Sequence, residues 1–277
     1  MNTKSKISGV SIGIKMTSLA LSEDSNLKTK INTSGFTVKI ANTLEEREAV
    51  FKLGYQEYLK KGFINECSQE WLVRNYDIDP ETIILVVKDK QNRIVGSVTL
   101  VFDLASKLPA EKIFSRDLSL LRQSGETIVE ISRLVIDPQY RNSKEILVLL
   151  FNYLYIYSYK VKKYTSLIIE VNPRHKVFYQ EIFHFNQIGI ERACPSVQNS
   201  PATLMHLSLQ KSRKTLIQIQ NKQWNKERSR SLFQFFVNIN QENLVAHYLE
   251  KQVKPMNSVE KSYFGFSESG TSKAICV

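Results

Sequence analysis

Thr127–Arg141, TIVEISRLVIDPQYR, is the stretch whose reading decides the fold. Ile128, Val129, Ile131, Leu134, Val135 and Ile136 form a nearly continuous apolar run, as a strand covered on both faces requires. Glu130, Ser132 and Arg133 interrupt that run, and a buried charge is costly unless it is paired or used. Asp137-Pro138 ends the strand, because proline cannot extend a ladder. A helical pattern opens after Ser143. Strand, turn and helix start in this order can present backbone N–H groups to a phosphate. The same residues also read as a core strand holding one internal ion pair.

Working outward, Phe36–Ala41 alternates as a first strand. Thr43 with Glu46 reads as a capping box for a helix to about Lys60, carried by Val50, Phe51, Gly54, Tyr55 and Tyr58. Residues 61–81 are irregular, with Trp71 and Tyr76 as aromatic anchors. Thr82–Lys88, the DKQN turn and Ile94–Phe102 make an antiparallel pair. A short amphipathic piece near Leu118–Leu121 precedes the decisive strand. Beyond it come a helix over Lys144–Lys162, a buried strand Ser166–Val171 stopped by Asn172-Pro173, and a helix over His175–Phe183. That last helix is expected to turn Val177, Phe178 and Ile182 inward. Phe185–Glu191 and Thr203–Leu209 read as the final strands. The order implies an α/β (α+β) fold, a mixed, mainly antiparallel sheet flanked by helices, with a helical C-terminal extension.

The domain reading is a flexible leader over 1–35, a domain over 36–210, a basic helical extension over 211–253 and a loosely ordered tail over 254–277. In the extension, Leu216, Ile219, Leu232, Phe235 and Phe236 suggest helices packed back on the domain. A solvated basic helix is the other reading.

The 277 residues are 42% hydrophobic, enough for a sizeable core, and carry a net charge of +11. That charge favours acidic partners. No nucleic-acid motif accompanies it, so nucleic acid is discounted. Cys67, Cys194 and Cys276 are widely spaced and odd in number, which implies neither a disulfide framework nor a zinc site. The four histidines lack metal-ligand spacing, so no metal is expected. No apolar run is long enough for a membrane span and no signal peptide is recognisable, so a cytoplasmic, reduced protein is expected.

Two ordered motifs resemble the GNAT acyltransferases. They are the strand ending at Ile136 with the Arg141 turn and helix, and Asn172-Pro-Arg-His-Lys-Val-Phe-Tyr179 with Phe185 beyond. EISRLVIDPQYR, IEVNPRHKVFY and FNQIGIERACPSVQNSPATLM together resemble the long-chain N-acyl amino acid synthases, relatives of the acyl-homoserine-lactone synthases. Glu130 and Arg133 resemble the Glu-x-x-Arg signature of the latter, and Arg47 and Phe51 their upstream Arg-x-x-x-Phe. The likeness spans about residues 36–210.

It implies transfer of a long fatty acyl group from acyl carrier protein to the amine of an amino acid. No tightly bound cofactor is implied, only a phosphopantetheine-linked acyl donor as co-substrate. The usual GNAT turn is glycine-rich. Here it reads Arg141-Asn-Ser-Lys144-Glu145-Ile146, which weakens the case for a coenzyme A pyrophosphate. For the single phosphate of a carrier-bound arm, Arg141, Ser143 and Lys144 could suffice.

The chemistry needs a neutral amine, an oxyanion donor and a proton for the thiolate. Glu130 is the candidate base, against the reading of a structural ion pair. Arg133 lies three residues on, so only a β-bulge would bring it onto Glu130's face. With a bulge it could orient Glu130 or hold a substrate carboxylate, and without one it is structural. A backbone N–H near Leu134–Ile136 is the candidate oxyanion donor. Tyr179 sits where the resemblance places a proton donor, or it is a packed aromatic. Asn172 could bond the pantetheine arm or cap the next helix. Arg174 and His175 are cleft-edge candidates. Arg47 and Phe51 share a helix face and could line the amine pocket. Phe102, Leu104, Phe151, Leu154 and Tyr155 could line an acyl tunnel or simply form core. The basic segment after Lys211 could receive an acidic carrier or touch the inner face of a membrane. Rival readings are a transferase using acyl-CoA or another amine, and a non-catalytic acyl- or carrier-binding module.

Overall fold

The computed structural model describes residues 35–104, 107–222 and 230–267. Most of the expected leader, Lys226, Arg228 and the tail beyond 267 therefore lie outside the described residues. In chain order the elements are β1 (Thr37–Ile40), α1 (Leu44–Lys60), β2 (Ile83–Lys88), β3 (Ile94–Phe102), α2 (Glu111–Gln123), β4 (Ile128–Ile136), α3 (Lys144–Ile156) and β5 (Ser166–Val171). Then follow α4 (Lys176–Phe183), β6 (Asn186–Gln187), β7 (Arg192–Cys194), β8 (Ser200–Ser208), α5 (Leu209–Gln220), α6 (Glu242–Glu250) and α7 (Ser258–Tyr263). The sheet runs β1-β2-β3-β4-β5-β8-β6, with β7 on β8. Among the described residues only β4 and β5 pair in parallel.

Alternation along the strands separates two faces. Val129, Ile131, Leu167 and Ile169 join the cluster built around α3, where Leu149, Leu150, Phe151 and Leu154 are buried. Ile128 and Ile168 face the other way, against Phe114 and Leu118 of α2. Both faces of the central strands are thus covered, which explains why they read as unbroken apolar runs.

α1 begins where Thr43 Oγ1 accepts the Glu46 N–H at 3.3 Å. Only that half of the capping box forms. The Glu46 carboxylate instead accepts from Asn42 N–H at 3.1 Å and from Lys39 and Lys88 at 2.6 and 2.7 Å. α3 is capped by the Ser143 hydroxyl, and its expected continuation to Lys162 becomes a π-helical turn over Tyr157–Val161.

Other differences have local causes. The piece near Leu118 is a full helix, α2. Val177 and Phe178 are exposed while Phe183 is buried, because the short α4 turns its last residue, rather than its first turn, onto Phe151. The strand expected over Phe185–Glu191 shrinks to two residues, and Arg192–Cys194 pairs with β8 instead. Cys194 is a free, buried thiol, whereas Cys67 is disulfide-bonded. Leu216, Ile219, Leu232 and Phe236 are buried in the main core, so the extension packs back on the sheet.

The stretch after 254, expected to be loosely ordered, is anchored as far as 267. Asn257 and Glu260 form a reciprocal capping box on α7, and Phe264 and Phe266 are buried against α1. Among the described residues no helix is long and apolar enough to cross a membrane, and no cluster of three metal-ligating side chains exists.

α3 sits close on β3 because Gly96 has no side chain. A Cβ there would stand 2.7 Å from Ile146 Cγ2 and 3.5 Å from Leu150 Cδ1. Gly96→Ala should therefore cost about 1–3 kcal/mol in chemical denaturation, through overpacking. An unchanged midpoint would show that α3 can shift freely.

Candidate active site

The decisive strand contains the bulge its signature needed. Ser97 pairs with Val135 and Thr99 with Ser132, so Val98 alone faces Arg133 and Leu134. Arg133 takes a φ of +43° there, a left-handed conformation that side chains resist. The extra residue reverses the alternation beyond it. Leu134 and Ile136 pack towards α3, while Ser132 and Arg133 both face the side of Glu130.

The same bulge ends the strand's other partnership. β4 pairs with β5 only from Ile128↔Ser166 to Ile131↔Ile169, whereas its pairing with β3 continues to Ile136. Beyond Ile131 the parallel pair separates. A cleft of about 990 Å³ opens there, lined by Glu130, Ser132, Arg133 and Leu134 from β4 and by Glu170 and Val171 from β5.

Glu130 is 3% exposed, and its Oε2 accepts the Ala110 N–H at 2.9 Å. Burial, with the like charges of Glu170 and Glu111, pushes its pKa up to about 8 against the stabilising Ala110 contact. It is half of no ion pair among the described residues. The ion pair belongs to Arg133, whose guanidinium meets Asp77 at 2.5 and 2.7 Å and also donates to Thr99 Oγ1 and Leu72 O. Its cationic carbon lies 4.9 Å from the Phe51 ring centre. The bulge thus brings Arg133 to the right face, but its hydrogen bonds go to Asp77 rather than to Glu130 or to open space.

Of the remaining candidates, Leu134, Asn172, Arg174, His175 and Tyr179 line the cleft. Burial raises the Tyr179 pKa, so its phenol stays protonated. The Asn172 carbonyl oxygen caps the turn that follows, accepting Arg174 N–H at 3.2 Å, so the capping reading holds for that atom. Arg174 Nε donates to His175 Nε2 at 3.1 Å, which requires a neutral imidazole. Burial and the cations Arg174 and Lys61 lower the His175 pKa, in agreement.

Six candidates lie outside the cleft wall: Arg47, Phe51, Ile136, Arg141, Ser143 and Lys144. Arg141 pairs with Glu57 at 2.9 Å, and Ser143 is engaged as the cap of α3. Arg47 and Phe51 do share a face of α1, but the tail covers it. Arg47 is buried against Glu260 at 2.5 Å and bonds Lys254 O, and Phe51 meets Phe264 edge-on at 4.9 Å. Phe102, Phe151, Leu154 and Tyr155 belong to the closed core and Leu104 is exposed, so no acyl tunnel runs there. The apolar lining of the cleft includes Leu108, Ile113, Val197 and Ala202.

The sequence reading missed Asp77, Glu170, Cys194, Lys61 and Lys112. Glu170 carried a readable signal, an acidic residue inside the apolar run Ser166–Val171. Asp77 lies in irregular sequence with no pattern to mark it.

Two outcomes follow. Asp77→Ala leaves the Arg133 guanidinium buried and unpaired, at a cost of about 3–5 kcal/mol in urea denaturation; a loss below about 1 kcal/mol would show that the pair does not hold the bulge. Glu130→Gln should behave oppositely. Between the ordinary 4.5 and about 8 the native carboxyl keeps a proton that the unfolded one has lost. Wild-type stability therefore falls as pH rises through that window, by up to about 1.4 kcal/mol per pH unit. The glutamine variant lacks this decline, so its advantage should widen with pH; parallel stability curves would contradict the buried, unpaired carboxyl.

Comparison with known proteins agrees with this geometry. The family model for N-acyl amino acid synthase FeeM matches residues 49–208, more than half of the chain. Among solved structures, FeeM, an N-acyl amino acid synthase from uncultured soil microbes, superposes with a TM-score of 0.56 at 22% identity, covering 65% of this chain and 93% of that one. A CoA-dependent acyl-homoserine lactone synthase, BjaI, gives a TM-score of 0.51 at 13% identity, covering 67% and 89%. No curated protein matches in sequence. The GNAT-like sheet expected from the sequence is the fold found. The chain belongs to the FeeM family of N-acyl amino acid synthases, which are N-acyltransferases.

Proposed function

We propose that this protein transfers a long fatty acyl group from the phosphopantetheine thioester of acyl carrier protein to the amine of an amino acid. The observation that carries the reading is Glu130, buried and in no ion pair among the described residues, at the point where β4 and β5 part. A base must match its task, and a carboxyl raised to about 8 is far closer to an amine in proton affinity than an ordinary carboxyl is. Glu130 takes a proton from the acceptor ammonium. The amine then attacks a carbonyl placed against the Leu134 backbone, where a peptide N–H receives the developing oxyanion. Tyr179, held as a neutral phenol, returns a proton to the departing thiolate. Asn172 flanks the pantetheine arm.

Transfer is direct. The Cys194 thiol lines the cleft, but burial and the neighbouring Glu170 push it up to about 12, so it is not a thiolate that could accept the acyl group. Arg133 and Phe51 position the strand, and Arg47 holds the tail.

Two features support carrier protein over coenzyme A as donor. The Ile146 N–H at the start of α3 already donates to Ser143, and the turn before it has no glycine to admit a pyrophosphate. The cations Lys61 and Arg174 line the cleft, and Arg141, paired with Glu57 outside its wall, lies within electrostatic reach of Lys61. They suit an acidic carrier. The basic helix α5 does not, because Lys211 acts on His206 and Glu126 at the far end of β5. A carrier-bound donor would place the reaction in the cytoplasm.

Purified protein incubated with palmitoyl carrier protein and the twenty amino acids should yield an N-palmitoyl amino acid by mass spectrometry. Glu130→Gln should lower turnover by about 10²–10⁴-fold while keeping carrier binding. The wild-type rate should rise with pH through a midpoint near 8, as the base loses its proton. Carrier binding without product by the folded wild type would overturn the reading.

A further inference from the structure

Glu170 stands two residues beyond Ile168, the β5 partner of Glu130, so the two carboxyls share a face of the sheet. Both line the cleft, on opposite sides of the opening between the strands. No ion pair among the described residues contains either of them. Glu130 accepts from Ala110 N–H, and Glu170 accepts from the Cys194 thiol, with the Lys112 charge nearby. Burial raises both carboxyls, and the Glu170 charge contributes to the rise of Glu130.

The proposed reaction needs more than one proton acceptor. An ammonium and a thioester give an amide, a thiol and one free proton. The nitrogen sheds two protons; Tyr179 gives one to the sulfur and is then reprotonated, so one proton is released in all. A single base would have to discharge the first proton before it could receive the second. Two carboxyls facing one cleft can hold both.

We propose that Glu170 is a second proton acceptor of the acyl-transfer cleft, acting beside Glu130 on the same acceptor nitrogen. This rests on the acyl-transfer reading for its chemistry, while the pairing of the carboxyls stands on the geometry alone. Every charged neighbour enters the balance. Glu130 meets Glu170 from β5 and Glu111 from α2. Glu170 meets Cys194 from β7 and Lys112 from α2. Lys61, Arg74, Lys107, Arg174 and His175 also line the cleft, whereas Arg133 is committed to Asp77.

The test is an infrared titration of the protonated-carboxyl band in the wild-type protein, in Glu130→Gln and in Glu170→Gln, with near-ultraviolet circular dichroism to verify the fold. Three carboxyls should titrate above the ordinary range in the wild type, Glu130, Glu170 and Glu242, the last paired with Arg213 outside the cleft. In Glu170→Gln one disappears, and the midpoint of Glu130 moves down because its like-charged neighbour is gone. The acid limb of the rate profile should move to lower pH with it. A Glu130 midpoint that stays in place would overturn the proposal, as would a rate that drops equally at every pH. Should Glu170→Gln fail to fold, Cys194→Ala keeps both carboxyls and removes only the donated hydrogen bond. The Glu170 midpoint should then rise, and an unchanged value would overturn the proposal. The titration is read without turnover. Absence of an N-acyl product would defeat the acyl-transfer reading, and absence of coupling would defeat the carboxyl pair.

Discussion

The buried pair of Arg133 with Asp77 is the constraint on which the site depends. A left-handed residue other than glycine costs roughly 1–3 kcal/mol and persists only where its surroundings over-determine it. Here they do. Asp77 accepts from both Arg133 terminal nitrogens and from Arg74 N–H, Thr99 and Leu72 take further hydrogen bonds, and the Phe51 ring lies under the guanidinium. Gly54 of α1 leaves room for the same side chain, since a Cβ there would stand 3.1 Å from Arg133 Cδ. What this fixes is a reversal of side-chain alternation on β4 and the end of its pairing with β5.

From that reversal the chemistry follows. Had β4 continued regularly, it could have kept pairing with β5 past Ile131, and no cleft would separate Glu130 from Glu170. The bulge divides labour within the Glu-x-x-Arg pattern. One member is ion-paired and structural, while the other keeps its raised proton affinity. Burying a carboxyl without a cation is a poor choice for stability and a good one for a base that must compete with an amine. The tail contributes at one remove. Arg47 and Glu260 fasten it to α1, and Phe264 backs Phe51, which in turn backs Arg133.

Much of the fold was legible because it rests on long periodic segments. The sheet strands from β1 to β5 and helices α1 and α3 follow their apolar spacing, and proline and serine mark their ends. Glu130 was legible as a charge inside an apolar run, and Glu170 carries the same mark. The bulge was not, because Arg133 has no side-chain preference for positive φ and its cause lies in Asp77, 56 residues away. Arg47 and Phe51 show a different limit. Their shared helix face was correctly read, but its occupant comes from residues more than 200 positions later in the chain. Periodicity says which side chains point together. It does not say what they meet.

The central claim is that the opening made by the bulge holds the thioester. The most direct measurement is a crystal structure with a non-hydrolysable acyl-phosphopantetheine analogue. The arm should lie between β4 and β5, its carbonyl oxygen against the Leu134 backbone and Glu130 on the side from which an amine would attack. An arm bound elsewhere, with β4 and β5 still parted and empty, would contradict it.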